Sequence, residues 1–204
     1  MEENLLKSLQ KVKWDIVFKT FGSSHATLIG LLVEWWITNN PSGFALDEGC
    51  TCKGARGCRC DAVLLEGDPR RGIVKGFIEV EGGSDRYKKT INKMRKFLRV
   101  TKEWKHLKFG IFLAYPTYAS TQKGKRSYSR WFPEKTFIKE GKKITRGLPN
   151  KKLAILVFKK SYDKFEKESL RSREFYRGTP EKVYGMLLCN GKKIDGPRTL
   201  WPLK

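Results

Sequence analysis

Residues 60–81 read CDAVLLEGDPRRGIVKGFIEVE, and this stretch decides the fold. Ala62-Val63-Leu64-Leu65 and Phe77-Ile78 are apolar at successive positions. Both faces of such strands need cover, as in the centre of a layered sheet. Residues 67–72 between them carry turn chemistry in Gly67, Asp68, Pro69 and Gly72. Side chains alternate along a strand, so Glu79 and Glu81 share one side and Val80 takes the other. If the two strands pair, Asp61 lies beside Glu79.

Upstream, 44–52 reads as a third strand, hairpinned onto 58–66 about a turn at 53–57. Before it, 25–38 is apolar nearly all round a helix, with Leu28, Ile29, Leu31, Leu32, Val33, Trp35, Trp36 and Ile37, and is expected to be buried. Leu5, Leu6, Leu9, Val12 and Ile16 have helical spacing and predict an amphipathic N-terminal helix within 1–22. Downstream, Ser84 caps a helix over 85–98 whose stripe is Tyr87, Ile91, Met94 and Leu98. Residues 108–115 and 153–158 read as buried strands, 161–175 as a charged helix and 183–189 as a last strand. Residues 116–150 read as a basic insertion. The expectation is one α/β domain over 1–204, a mixed central sheet flanked by helices, with its core in about 24–115 and 153–189.

The 204 residues hold 43 Lys and Arg against 21 Asp and Glu, a net charge of +22. Hydrophobic residues at 39% and aromatics at 12% exclude a disordered basic tail. A folded chain of that charge repels itself, and a polyanion is its natural complement, so DNA is the expected partner. An anionic membrane would need an anchor. The longest apolar run, 26–37, is too short to span a bilayer and contains Glu34, and Met1-Glu2-Glu3-Asn4 lacks a signal-peptide layout. A soluble, cytoplasmic protein is expected. Candidate phosphate contacts are Lys88, Lys89, Lys93, Arg95 and Lys96 on the helix. Lys123, Lys125, Arg126 and Arg130 add to them, interleaved with Tyr128 and Trp131, which could stack on bases.

Carboxylates gathered in so basic a chain need an explanation, and a hard divalent ion supplies one. Mg²⁺ takes oxygen ligands, commonly one or two carboxylates with water and substrate phosphate. Glu34 is the only charged residue between Leu28 and Ile37, a position that calls for a partner or a cation. Asp61, then seventeen residues, then Glu79-Val80-Glu81, each at the end of an apolar strand, resembles the PD-(D/E)xK nuclease superfamily. The preceding helix with Glu34, the following basic helix and the strand at 108–115 match that core's order, so the resemblance covers about 24–115.

The resemblance implies a restriction-endonuclease-like fold and Mg²⁺- or Mn²⁺-dependent hydrolysis of DNA phosphodiester bonds. It implies Asp61 and Glu79 as metal ligands, the Val80 carbonyl completing the set, and Glu34 as an auxiliary acid. Two positions depart from the pattern. Cys60 precedes Asp61 where proline is usual, and Glu81 stands where the superfamily usually has lysine. Some restriction enzymes carry Glu there, and Glu81 would then be a general base or second metal ligand. Lys75, on the same strand face, or Lys88, on the next helix, is the alternative source of the positive charge. Many such enzymes cut two strands, so a homodimer is expected.

Cys50-Thr51-Cys52, five residues, then Cys58-Arg59-Cys60 forms a compact cluster, with Cys189 apart. A hairpin would set Cys52 against Cys58 and Cys50 against Cys60, with four sulfurs on one face. Structural Zn²⁺ held by four thiolates and cross-strand disulfides are the alternatives, zinc ranking first. Either would brace the strand carrying Asp61 without joining the chemistry. The two histidines, His25 and His106, lack a partner at metal spacing, and His25 reads as a helix cap or packing residue. The rival functions are a non-catalytic basic nucleic-acid-binding module braced by this cluster, and an assembly protein that coats nucleic acid.

Overall fold

In a computed structural model, strand side chains alternate between two buried faces, and helices cover both. The structure describes residues 4–19, 25–47, 59–68, 70–82, 87–99, 104–115, 134–161 and 179–203. Three helices come first: α1 (Leu5–Leu9), α2 (Trp14–Lys19) and α3 (His25–Asn39). The strands are β1 (Gly43–Asp47), β2 (Ala62–Glu66), β3 (Ile73–Glu81), β4 (Phe109–Ala114), β5 (Lys152–Ser161), β6 (Thr179–Cys189) and β7 (Lys192–Trp201). They form one seven-stranded sheet in chain order. Pairing is parallel at β3/β4 and β4/β5 and antiparallel elsewhere. Parallel neighbours need a crossover. These are α4 (Tyr87–Arg99), between β3 and β4, and α5 (Glu134–Thr145), between β4 and β5. The chain is thus α/β, a mixed sheet flanked by helices.

The two cores follow from the alternation. Ile78, Val80, Ile111, Leu113, Ala154, Leu156 and Phe158 pack with α1, α2 and α3, against Leu6, Leu9, Leu28, Leu32 and Trp36. Phe77, Phe112, Ala114, Leu153, Ile155 and Val157 pack with α4 and α5, against Ile91, Met94, Phe97, Phe137 and Ile144. Phe77, Phe97 and Trp104 form an aromatic cluster with ring centroids 5.3–6.0 Å apart. Among the described residues no helix is long and apolar enough to cross a membrane.

Several expectations change. The N-terminal helix is two short ones, broken after Leu9; the Trp14 indole donates to the Leu9 carbonyl at 3.1 Å and fixes the break. The helix at 25–38 is not buried all round: Ala26 and Gly30 are exposed and Ile37 is 46% exposed. The basic insertion contains α5, whose buried Phe137, Gly141 and Ile144 recur at helical spacing among lysines. The polar strand β7 was not anticipated. It is a sheet edge, where Lys192, Lys193 and Pro197 are tolerated because one side needs no partner. β2 is shorter than the strand expected at 58–66, with residues 59–61 leading into it as irregular chain, and residues 48–52 of the strand expected at 44–52 lie outside the described residues. The turn at 53–57, residues 116–133 and residues 162–175 of the expected charged helix lie outside the described residues, and Ser161 is the last residue of β5.

Glycines test the packing of α5. A Cβ at Gly141 would meet Leu188 Cδ1 at 2.3 Å and Ile155 Cδ1 at 2.8 Å, both in the core, whereas Gly30 in α3 has nothing within 4 Å. Urea unfolding is expected to show Gly30→Ala stabilising by about 0.5–1 kcal/mol from helix propensity. Gly141→Ala is expected to destabilise by roughly 1 kcal/mol, because overpacking outweighs the same gain. Equal gains at both sites would refute the close approach of α5 to the sheet.

Candidate functional site

β3 runs past the start of β2, and the site is built at that overhang. Asp61 precedes β2, and its backbone N–H donates to the Ile78 carbonyl at 3.1 Å. Extending the Ala62↔Ile78 register by one residue sets Asp61 opposite Glu79. The N–H and C=O of one strand residue point the same way, so those of Val80 point where β2 has ended. Side chains satisfy them instead. The Val80 N–H donates to Asp61 Oδ2 at 2.6 Å. The Val80 carbonyl lies 3.0 Å from His25 Nε2, which is also 3.4 Å from Asp61 Oδ2. His25 is the first residue of α3, held there by the packing of Leu28, Leu31 and Leu32 on the sheet.

Glu79 points to the other face, under α4, and is only 2% exposed. Lys93 Nζ stands 2.8 Å from Glu79 Oε1. Two residues on, Glu81 Oε2 accepts the Thr90 hydroxyl at 2.8 Å. Both acids of α4's face are therefore tied to that helix.

Burial pushes the Glu79 carboxyl up to about 8; the nearby Asp61 charge adds to this and Lys93 opposes it. Burial also raises Asp61, while the Val80 N–H, His25 and Lys93 pull it down. Glu79 therefore holds a proton at neutral pH unless further positive charge comes to it. All the oxygen donors here are hard: two carboxylates and the Val80 carbonyl. Among the described residues no group of three or more His, Cys, Asp or Glu side chains converges at metal-ligand spacing. A Mg²⁺ site needs only one or two protein carboxylates, so these residues fit such an ion.

Asp61, Glu79, Val80 and Glu81 thus come together, as their spacing suggested. Glu34 does not join them. It lies nine residues along α3 from His25, about 13 Å at the helical rise, and pairs with Lys13. Lys75 is at the far end of β3, paired with Glu66 at 2.9 Å. Lys93, expected among the phosphate contacts, instead faces Glu79, while Arg95 and Lys96 are exposed on α4. Cys60 is buried with Val63 and Leu65 beneath α4. Cys50, Cys52, Cys58, Lys125 and Arg126 lie outside the described residues, as do the side chains of Lys88 and Lys89.

Sequence reasoning missed the parts played by His25 and Lys93. Lys93 sits three residues after buried Thr90 and four before buried Phe97, flanking the apolar stripe. That position was the available signal. His25 had none, since its role follows from where α3 begins relative to β3. The chain matches no known family model, no curated protein and no solved structure.

A carboxyl raised by folding binds more protons in the native than the unfolded chain. Its stabilising contribution is full below the ordinary value of 4.5 and is lost as pH rises through about 8. Glu79→Gln removes that loss. Urea midpoints from pH 5 to 9 are expected to show the variant gaining on wild type with rising pH, by on the order of 1 kcal/mol or more at pH 9. A difference independent of pH would refute the burial of an ionisable Glu79.

Proposed function

We propose that the chain is a Mg²⁺- or Mn²⁺-dependent deoxyribonuclease of restriction-endonuclease-like fold, hydrolysing phosphodiester bonds at the overhang of β3. The observation that carries this reading is the meeting of Asp61, buried Glu79, the Val80 carbonyl and Lys93 at one strand end in a chain of net charge +22. Asp61, Glu79 and Val80 would hold the ion. Bound there, it would supply a water of lowered pKa and charge to steady the phosphorane oxygens.

The chain's own groups have definable parts. Lys93 provides the positive charge that the superfamily places where Glu81 stands, reaching Glu79 from α4 rather than from β3. An ammonium so placed stabilises developing negative charge on a phosphoryl group. His25 Nε2 lies between Asp61 Oδ2 and the Val80 carbonyl and would give way to any cation those oxygens take. Arg95, Lys96 and Arg99 on α4 and Lys139, Lys142 and Lys143 on α5 are exposed and would draw the DNA backbone. Glu81, bound to Thr90, would help orient α4 and its Lys93.

The test is cleavage of circular, linear and branched DNA with Mg²⁺, Mn²⁺ or chelator. Wild type is expected to cut only with metal. Asp61→Ala and Glu79→Ala are expected to lose on the order of 10³-fold in rate while still binding DNA. Lys93→Met should lose about 10²-fold. Because the ion must displace the Glu79 proton, the Mg²⁺ concentration that gives half-maximal cleavage should fall as pH rises toward about 8 and level off above it. Binding of all three DNAs with no cutting under any metal would overturn the nuclease reading in favour of a binding module.

A further inference from the structure

The far pole, where β3, β4 and β5 begin, carries a group of cations with no part in the proposed chemistry. α4 and α5 both end there, and the β6–β7 turn meets the end of α5. Side-chain bonds fix the three segments together. Arg99, the last residue of α4, donates through Nη2 to the Arg146 carbonyl at 3.2 Å. The Gly147 N–H donates to Asn190 Oδ1 at 3.1 Å, and the Gly191 N–H to the Thr145 hydroxyl oxygen at 3.2 Å. Thr145 is fully buried and donates in turn to the Gly141 carbonyl at 2.9 Å. Gly191 lies against the Lys142 carbonyl and the Arg146 side chain; a Cβ there would meet them at 3.5 and 3.6 Å. Arg99, Lys142, Arg146 and Lys192 are thereby gathered, and all four are exposed.

The protein does not meet the charge of this group. Among the described residues no carboxylate bonds to any of the four; Glu140 pairs with Lys143 and Asp195 with Arg198. The Arg146 carbonyl takes one of Arg99's five N–H donors and none of its charge. Basic residues at a helix C-terminus also answer the macrodipole, the ordinary reason for such a placement. Each helix end carries roughly half a negative charge, so α4 and α5 together offset about one charge of the four. About three remain, held near one another on fixed backbones. α4 and α5 pack side by side, roughly 8–10 Å apart at their axes, so the cations are spread wider than one compact anion. A phosphate backbone, with its single charges repeated along a line, matches such a spread. Register places the group relative to Glu79. Lys192 pairs with Cys189, Cys189 with Lys152, Lys152 with Phe109 and Phe109 with Gly76. Lys192 is thus four strands from β3 and three residues short of Glu79, roughly 20 Å from it. Glu79, Lys93 and the group share the side of the sheet covered by α4 and α5. We propose that Arg99, Lys142, Arg146 and Lys192 anchor the phosphate backbone of a DNA duplex whose scissile bond lies at the β3 overhang, about six base pairs away at roughly 3.4 Å per pair. The placement rests on the nuclease reading; the anchoring does not.

Duplex binding read by fluorescence anisotropy, with chelator present so that nothing is cut, tests the anchor. Arg146→Gln with Lys192→Gln removes two of its charges. Lys7→Gln with Lys11→Gln removes two from exposed positions on and beside α1, which covers the other face of the sheet. The first variant is expected to weaken binding by on the order of 10-fold near about 0.1 M salt. It should also lower the slope of log affinity against log salt by about 1.8, two phosphates at about 0.9 each. The second should keep that slope within about 0.5 of wild type. Equal losses in both variants, or none in the first, overturn the anchor, because attraction to net charge then explains the binding. In the unmutated chain, bound duplex should slow acetylation of Lys142 and Lys192 more than that of Lys7, read by peptide mass spectrometry. Equal protection of all three overturns the anchor whatever the variants do. The placement is read from cleavage with metal, on duplexes ending from about 2 to about 12 base pairs beyond the cut. Wild type should slow sharply below about six, and the first variant should cut every length at the slow rate. Cleavage indifferent to flank length overturns the placement. No cutting removes the nuclease and the placement with it, and leaves the anchor to the binding data. Cutting without the difference in binding removes the anchor alone, so the two readings fail separately.

Discussion

The peptide group of Val80 sits on a buried strand at a point where the neighbouring strand has ended. A buried N–H or C=O without a partner costs about 1–3 kcal/mol, so this overhang must be closed. The chain closes it with side chains: Asp61 for the N–H and His25 for the carbonyl. That solution fixes much else. Asp61 has to stand at the entry to β2, and α3 has to begin where its first residue can reach β3. Once those are set, Glu79 falls opposite Asp61 across the pair, and α4, following β3, brings Lys93 over it. A third strand residue in place of Asp61 would satisfy the backbone as well and leave no site.

Burying Glu79 opposes folding, and the surroundings offset it only in part. Lys93 lies close enough for a strong ion pair, yet burial and the Asp61 charge still hold the carboxyl near 8. In so basic a chain a fully neutralising environment would have been easy to assemble from a second lysine. Among the described residues, lysines instead stand exposed on α4, α5, β6 and β7 and at the far pole. A carboxylate pair left short of positive charge has residual affinity for a cation, and the proposed chemistry rests on that imbalance. The same imbalance explains why stability and activity would pull in opposite directions at position 79.

The parts of this arrangement legible in the sequence are those governed by local period. Two apolar runs bounded by turns gave β2 and β3, and the Glu79-Val80-Glu81 alternation placed two acids on one face. The stripe of Ile91, Met94 and Leu98 gave α4. What stayed hidden depends on tertiary placement. Glu34 looked exceptional on an apolar helix, but that helix has an outer face, and Lys13 from the neighbouring segment meets the carboxylate there. His25 looked like a cap because nothing local connects it to residues more than fifty positions away. α5 was masked by its lysines, since Phe137, Gly141 and Ile144 make a narrow stripe, and its glycine is buried for closeness rather than for hydrophobicity. β7 escaped because a sheet edge imposes no apolar pattern.

The two ends of β3 differ in sign, and the difference follows from strand direction. β3, β4 and β5 run parallel, so residues that begin them collect at one pole and residues that end them at the other. Lysines begin all three of these neighbourhoods, at Lys75, Lys108 and Lys152, while Glu79 and Glu81 end β3. An antiparallel sheet would have interleaved these charges and neutralised them pairwise across strands. The parallel centre segregates them, with the apolar core between. The antiparallel flanks keep that segregation intact: β2 contributes Asp61 to the acidic pole and Glu66 to the basic one, where it is matched by Lys75. Topology, more than any single residue, gives β3 two chemically opposite ends.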